Sequence, residues 1–154
     1  MRPSKLILML ALSILFTKNS NAQTTQNQES ARLNHVAMYV TDLEKSATFY
    51  QSLFNLPVLE EPFKDGKHVW LSLGGAVQMH LIKSDQERIE HAKSDHLCFS
   101  VASISDFTAK LDQQKFKYLN WAGTGKEPTI RVDGVKQIFL QDPDGHWIEV
   151  NDAP

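Results

Sequence analysis

Cysteine is almost missing from this chain: Cys98 is the only one in 154 residues. No internal disulfide is available, so the fold must stand on a packed core. A long hydrophobic run is missing too. The apolar stretch Leu6–Phe16 is shorter than the about 20 residues that a membrane span needs. Excess charge is the third absence. Sixteen Lys and Arg stand against 18 Asp and Glu, for a net charge of −2, and no basic stripe gathers the cations on one segment. That excludes nucleic acid as an expected partner.

What the N-terminus does have is Arg2 and Lys5, the short apolar run, and the small-residue pattern Ser20-Asn21-Ala22. A basic start, a short apolar core and a small-residue cut site are the parts of a secretory signal peptide. Residues 1–22 are therefore expected to be removed, which places the protein outside the cytoplasm, secreted or periplasmic. No cysteine follows the apolar run to carry a lipid, so no stable membrane anchor is expected after cleavage. Residues 23–31 are polar and aperiodic and read as a flexible lead-in. The rest, residues 32–154, suits a single domain with a real core.

Within that domain one pattern occurs twice. "LNHVAMYV" alternates as a half-buried strand should. Thr41 or Asp42 can cap the helix that follows, with Leu43, Ala47, Tyr50 and Phe54 at helical spacing. Asn55 and Pro57 end it. Three strands follow, near Val58, in "KHVWLSL" and in "AVQMHLI", with "KDGK" and "GG" as turns. The second half repeats the order. "DHLCFSV" is a strand, and "SISDFTAKLDQQ" is a helix with Ile104, Phe107 and Leu111 on one side. "KYLNW", "KQIFLQ" and "HWIEV" are strands, the last two joined by the turn "DPDG". The extra length of this half falls in the loop "GTGKEPTIRVDG", where insertion costs little. The expected fold class is α+β, two βαβββ modules giving eight strands.

Side chains alternate across a strand. Val36, Met38 and Val40 oppose His35, Ala37 and Tyr39; Met79 and Leu81 oppose Gln78 and His80. Leu97, Phe99 and Val101 oppose His96, Cys98 and Ser100; Ile148 and Val150 oppose Trp147, Glu149 and Asn151. The apolar faces should take the helices. The other faces carry His35 and His80 at the first and fourth strands of one half, and His96 and Glu149 at the same places in the other. If the sheet curls, these four are expected to converge. A carboxylate among imidazoles is costly unless it is paired or metal-bound. The set suits Zn, Ni, Fe or Mn and does not choose among them. Gln78 shares the face of His80 and is its rival as a ligand. His68 and His91 read as surface or hydrogen-bonded residues, and His146 sits next to a turn, on the face opposite Glu149.

These stretches, "LNHVAMYVTDLEKSATFYQSLFNLPV", "VQMHLI", "DHLCFSV" and "FLQDPDGHWIEV", resemble the vicinal-oxygen-chelate superfamily, the glyoxalase/bleomycin-resistance/dioxygenase group. The resemblance implies a curled eight-stranded cup around one divalent metal ion, held by His35, His80, His96 and Glu149. It implies a small-molecule substrate that chelates through oxygen, and a homodimer. Glyoxalase I-like lyase or isomerase chemistry would make Glu149 the catalytic base. An extradiol-type dioxygenase and a non-catalytic small-molecule-binding protein are the alternatives. Tyr39 stands where glyoxalase I-like enzymes carry an Arg, and Ser84 where they carry a glutathione-contacting Asn, which argues against a glutathione adduct. Phe139 stands where extradiol enzymes place a Tyr.

Overall fold

The computed structural model describes residues 30–86 and 89–154. The expected signal peptide and most of the lead-in lie outside the described residues. The unit Leu33–Pro154 carries β1 (His35–Val40), α1 (Leu43–Phe54), β2 (Val58–Leu59), β3 (His68–Ser72) and β4 (Gln78–Lys83), then β5 (His96–Ser100) and α2 (Ile104–Gln113). β6 (Tyr118–Leu119), β7 (Thr129–Ile130), β8 (Lys136–Gln141) and β9 (Trp147–Asn151) complete it.

Two mixed sheets result. The first has the order β1-β4-β3-β2, the second β5-β9-β8-β6, with β7 also on β8. In each the first strand pairs in parallel with the last, β1 with β4 and β5 with β9, and the other pairings are antiparallel. This is the repeated βαβββ module of an α+β fold. One detail is added to the expected eight strands. The long loop of the second half returns to the edge of β8, so β6 and β7 make one edge strand interrupted by residues 120–128. The interruption is self-bonded: Asn120 N donates to Gly125 O at 2.8 Å, and Thr124 N donates to Asn120 Oδ1 at 3.0 Å.

Both helices start as capping chemistry dictates. Asp42 accepts from Lys45 N at 3.0 Å, and Ser103 accepts from Asp106 N at 3.2 Å. α1 ends on Asn55 in the left-handed conformation (φ 55°), which Asn tolerates better than most side chains. α1 buries Ser46, Ala47, Phe49, Tyr50 and Leu53, and α2 buries Ile104, Phe107 and Leu111. The α1 stripe is wider than its spacing indicated. Leu43 and Phe54 lie at its margin and Phe49 and Leu53 at its centre. These faces and the apolar sides of both sheets form one cluster that includes Leu71, Met79, Leu81, Ile138, Leu140, Ile148 and Val150. Truncating any of these to Ala removes contacts worth about 2–5 kcal/mol for a Leu or Ile.

Polar bonds tie the two modules. Asp144 Oδ1 accepts from Thr41 N (2.9 Å) and Thr41 Oγ1 (2.6 Å), and its Oδ2 accepts from Ser46 Oγ (2.8 Å). Asp142 Oδ2 accepts from Tyr50 O–H at 2.9 Å. Thus the turn between β8 and β9 grips the start of α1. At the other end Lys110 Nζ donates to Ser52 O and Leu53 O at 2.9 and 2.8 Å, filling carbonyls that α1 leaves open at its C-terminus.

Candidate metal centre

The face of the first sheet turned away from the common core carries a column of rings. The β1–β4 register sets His35 opposite Gln78 and Ala37 opposite His80; the β3–β4 register sets Trp70 opposite His80. His80 stacks on His35 at 4.3 Å between centroids and on Trp70 at 4.0 Å, nearly parallel to both. Its Nε2 is 2.8 Å from Gln78 Oε1, so the two rival ligands touch each other. Burial, then the neighbouring His35 and His68, pushes the His80 imidazole below its ordinary value. That favours the neutral ring, the form that binds metal. His35 is exposed, with Nδ1 held 2.7 Å from Asn34 Oδ1. Trp70 Nε1 is buried and has no hydrogen-bond partner among the described residues.

The second sheet carries a different arrangement at the same topological places. Cys98 and Phe139 flank Glu149 on the neighbouring strands. His96 Nε2 lies 3.3 Å from Glu149 Oε2. Glu149 Oε1 accepts from Asn151 Nδ2 at 2.8 Å and from the Cys98 thiol at 3.4 Å. His96 Nδ1 is 2.7 Å from the carbonyl oxygen of Lys93. A carbonyl only accepts, so Nδ1 carries the proton, and in the neutral ring Nε2 presents a lone pair. That lone pair then faces a carboxylate oxygen. Two acceptors at this distance repel unless a cation or a proton lies between them. Separation by 3.3 Å suits two donors that each sit about 2.0–2.2 Å from one shared ion. A second group fixing the far ring nitrogen is the usual support of a metal-binding histidine. The donor set therefore fits a divalent metal ion.

Cys98 is exposed as a residue, yet its sulfur packs between Glu149 and Asn151. Burial, then the charge of Glu149 and the bond to it, pushes the thiol up to about 12. The thiolate is thus suppressed, and Cys98 is no ready nucleophile.

The four expected ligands come together as two pairs, one on each sheet. Among the described residues, no group of three or more His, Cys, Asp or Glu side chains in a single chain could hold one ion. The reason is the shared core. Both sheets turn their apolar faces to the helices and to one cluster, so each ligand pair looks outward from its own sheet. A cleft of about 350 Å³ runs along the free edge of β1 and reaches His91, His96, His146 and Trp147, but touches only His96 of the four.

Two groups of residues escaped the sequence reading. Asp142 and Asp144 were legible only as turn residues, yet both are buried. His146 Nδ1 lies 2.9 Å from Asp142 Oδ2 and its ring is 4.2 Å from that of His91, so both histidines belong to this cross-module network. The second group is Lys93 with Trp121, Phe139 and Trp147. Lys93 Nζ lies 5.1 Å from the Trp147 ring and 5.8 Å from each of the other two. No local pattern announces it, because its parts come from a linker, a loop and two strands.

Comparison with known proteins gives the family and the fold. The family model of the Glyoxalase/Bleomycin resistance protein/Dioxygenase superfamily matches residues 32–150. The chain is 27% identical to Glyoxylase I 4 of Arabidopsis thaliana over 125 residues, covering 77% of this chain and 68% of that protein. It is 30% identical to the mitochondrial methylmalonyl-CoA epimerase of Bos taurus over 136 residues, covering 79% of this chain and 74% of the relative. Among solved structures, Oxidase ChaP-H2 superposes with a TM-score of 0.67 at 19% identity, over 81% of this chain and 95% of that one, a likeness of fold. The chain belongs to the glyoxalase/bleomycin resistance protein/dioxygenase superfamily.

Proposed function

We propose that the protein is a divalent-metal-dependent enzyme with lyase or isomerase chemistry on a small substrate that chelates through oxygen. The observation that carries this reading is the His96–Glu149 pair, with Nε2 and Oε2 3.3 Å apart and the histidine's other nitrogen tied to Lys93 O. His96 and Glu149 would hold the ion together with His35 and His80, with Gln78 as the alternative to His80. The ion, when bound, supplies Lewis-acid stabilisation for negative charge that develops on substrate oxygen.

Glu149 is the base. It takes a proton from a carbon next to a carbonyl; the electron pair of that C–H bond becomes a C=C bond as the carbonyl π pair moves onto oxygen, and return of the proton to carbon restores the C=O. No oxidant is needed. Asn151 holds the carboxylate in place through its bond to Oε1, and the low exposure of Glu149, 8%, limits competition from water. The names of the relatives, a glyoxylase I and an epimerase, accord with proton transfer beside a carbonyl.

A complete ligand set would form between two copies, the His35–His80 pair of one facing the His96–Glu149 pair of the other. The outward direction of both pairs supports this, as does exposed Tyr39 (64%) on the first face. The segment Met1–Ala22 supports export, so that a chain from the native host begins near Gln23 by mass spectrometry.

The test is Glu149→Gln. Metal should remain, more weakly held, while exchange of a carbonyl-adjacent proton in D₂O falls by about two to four orders of magnitude. Oxygen uptake with a catechol in wild type would replace this reading with a dioxygenase. Metal binding without any turnover would leave a small-molecule-binding protein.

A further inference from the structure

The aromatic-bounded lysine over Phe139 has no role in that proton transfer. Lys93 lies in the linker between the modules, three residues before His96. Its carbonyl fixes His96 Nδ1, and its ammonium lies among Trp121, Phe139 and Trp147. Phe139 is the cross-strand partner of Glu149, and its ring is 5.4 Å from the rings of both His96 and Trp121. Phe139 is fully buried yet belongs to no part of the core cluster. It is the floor of the outward face, and the ammonium and the His96 imidazole flank it.

The ammonium has three N–H donors. Trp121 O takes one at 3.0 Å and Asn120 O takes another at 3.4 Å. These carbonyls and the three rings orient the cation, but they bring no negative charge. Among the described residues Lys93 forms no ion pair, and Glu149, the cross-strand partner of Phe139, is engaged by His96, Asn151 and Cys98. A half-buried cation held in place by dipoles and ring faces is matched by an anion arriving from outside.

We propose that Lys93, walled by Trp121 and Trp147, is a subsite for a carboxylate of the substrate. The substrate class is then a small oxygen chelator that bears a carboxylate on a short apolar or aromatic spacer. The spacer would lie on the Trp121 indole, which is 49% exposed. As the subsite of the proposed metal enzyme this rests on the reading above, although anion binding at Lys93 needs no metal. The rival account is a latch, with Lys93 only pinning the linker to the loop at residues 120–125.

Two titrations on the full chain separate these. In the first, metal-free protein is titrated with benzoate and with benzamide while the Trp121 indole N–H resonance is followed. Benzoate should shift it in the millimolar range and benzamide should not. Lys93→Gln should abolish the shift, and Lys93→Arg should restore most of it. In the second, zinc-loaded protein is titrated with acetohydroxamate and with succinate monohydroxamate. The carboxylate-bearing probe should bind about tenfold tighter, and Lys93→Gln should remove that advantage while leaving acetohydroxamate unchanged. Absence of a benzoate shift in wild type, or its survival in Lys93→Gln, overturns the subsite. So does a Lys93→Gln protein that weakens both hydroxamates equally and melts lower, which is the signature of a latch. If benzoate binds at Lys93 while neither hydroxamate binds, the subsite stands and the metal reading fails.

Discussion

The two modules share a topology and differ in how they hold their candidate ligands. In the first, His35, His80 and Trp70 form a ring stack, and the histidines' hydrogen bonds go to the amide side chains of Asn34 and Gln78. In the second, His96 and Glu149 are fixed by a backbone carbonyl and by Asn151, with a carboxylate supplying charge. The difference teaches that a repeat conserves where a side chain points, and the neighbours decide whether it is poised. On the proposed reading the second module is the better prepared for a cation, and the first would complete the set.

The sharpest way to break this comparison is to remove one histidine from each half. His96→Ala removes a donor already fixed in place and leaves Glu149 without its partner. Metal affinity should fall by at least about 100-fold, more than the 10–100-fold typical of losing a supporting group. His35→Ala removes an exposed ring, and the loss should be smaller by about tenfold. Metal content after dialysis against graded chelator measures both. Equal losses would show that the halves contribute alike.

The join between the modules is the next target. Tyr50 is fully buried, and its hydroxyl donates to Asp142, which is 4% exposed. Tyr50→Phe removes one of the two partners of that oxygen, His146 Nδ1 remaining at 2.9 Å, and a hydrogen bond to a charged group is worth about 1.5–3 kcal/mol. A urea midpoint that falls with unchanged slope would confirm a pure stability loss. An unchanged midpoint would mean that the β8–β9 turn does not hold α1.

Acid should act at the same join. Burial alone would raise the Asp144 carboxyl, but the Thr41 hydroxyl and amide and the Ser46 hydroxyl outweigh it, and the net shift is downward. As the pH falls, the unfolded chain therefore takes up this proton first. The stabilisation is whole above the unfolded value, about 3.9, and drains as the pH drops through the folded value. Asp144→Asn should lower the melting temperature at pH 7 and flatten its fall between pH 5 and pH 3. A parallel acid limb in wild type and variant would place the sensitivity elsewhere.

Much of this architecture was legible in the chain. The period-2 strands, the capped helices and the repeat at His35 and His96 are local, and local chemistry built them as expected. Three things were not legible. The pairing of β7 with β8 depends on where a loop returns. The burial of Asp142 and Asp144 depends on α1 arriving over a turn that looks ordinary by itself. The splitting of the four expected ligands into two pairs depends on which faces of the two sheets share a core. All three are contacts between segments far apart in sequence, and alternation along one strand carries no information about them.

Within the first half, Gln78 and His80 compete for one role on one face. His80 is stacked on two rings and bonded to Gln78 through Nε2. If His80 is the ligand, His80→Ala should weaken metal binding about tenfold or more, and Gln78→Ala should change it by less than threefold, since only an orienting bond is lost. The reverse order would transfer the role to Gln78.

The smallest expected effect is at Cys98, in the half where the largest lies. Its sulfur accepts from Asn151 Nδ2 at 3.1 Å and its thiol donates to Glu149 Oε1. Cys98→Ser preserves a donor and an acceptor of nearly the same size, and a hydroxyl donates better than a thiol. Glu149 should keep its orientation, metal affinity should hold within about twofold, and stability should move by less than about 0.5 kcal/mol, as for other substitutions that break no buried network. The suppressed thiolate has a second consequence: alkylation of the native chain by iodoacetamide at pH 7.5 should be much slower than in urea, where the thiol regains its ordinary value near 8.5. Rapid labelling of the folded protein would mean that the thiol is ionised beside Glu149, and the packing role assigned to Cys98 would have to be replaced by a chemical one.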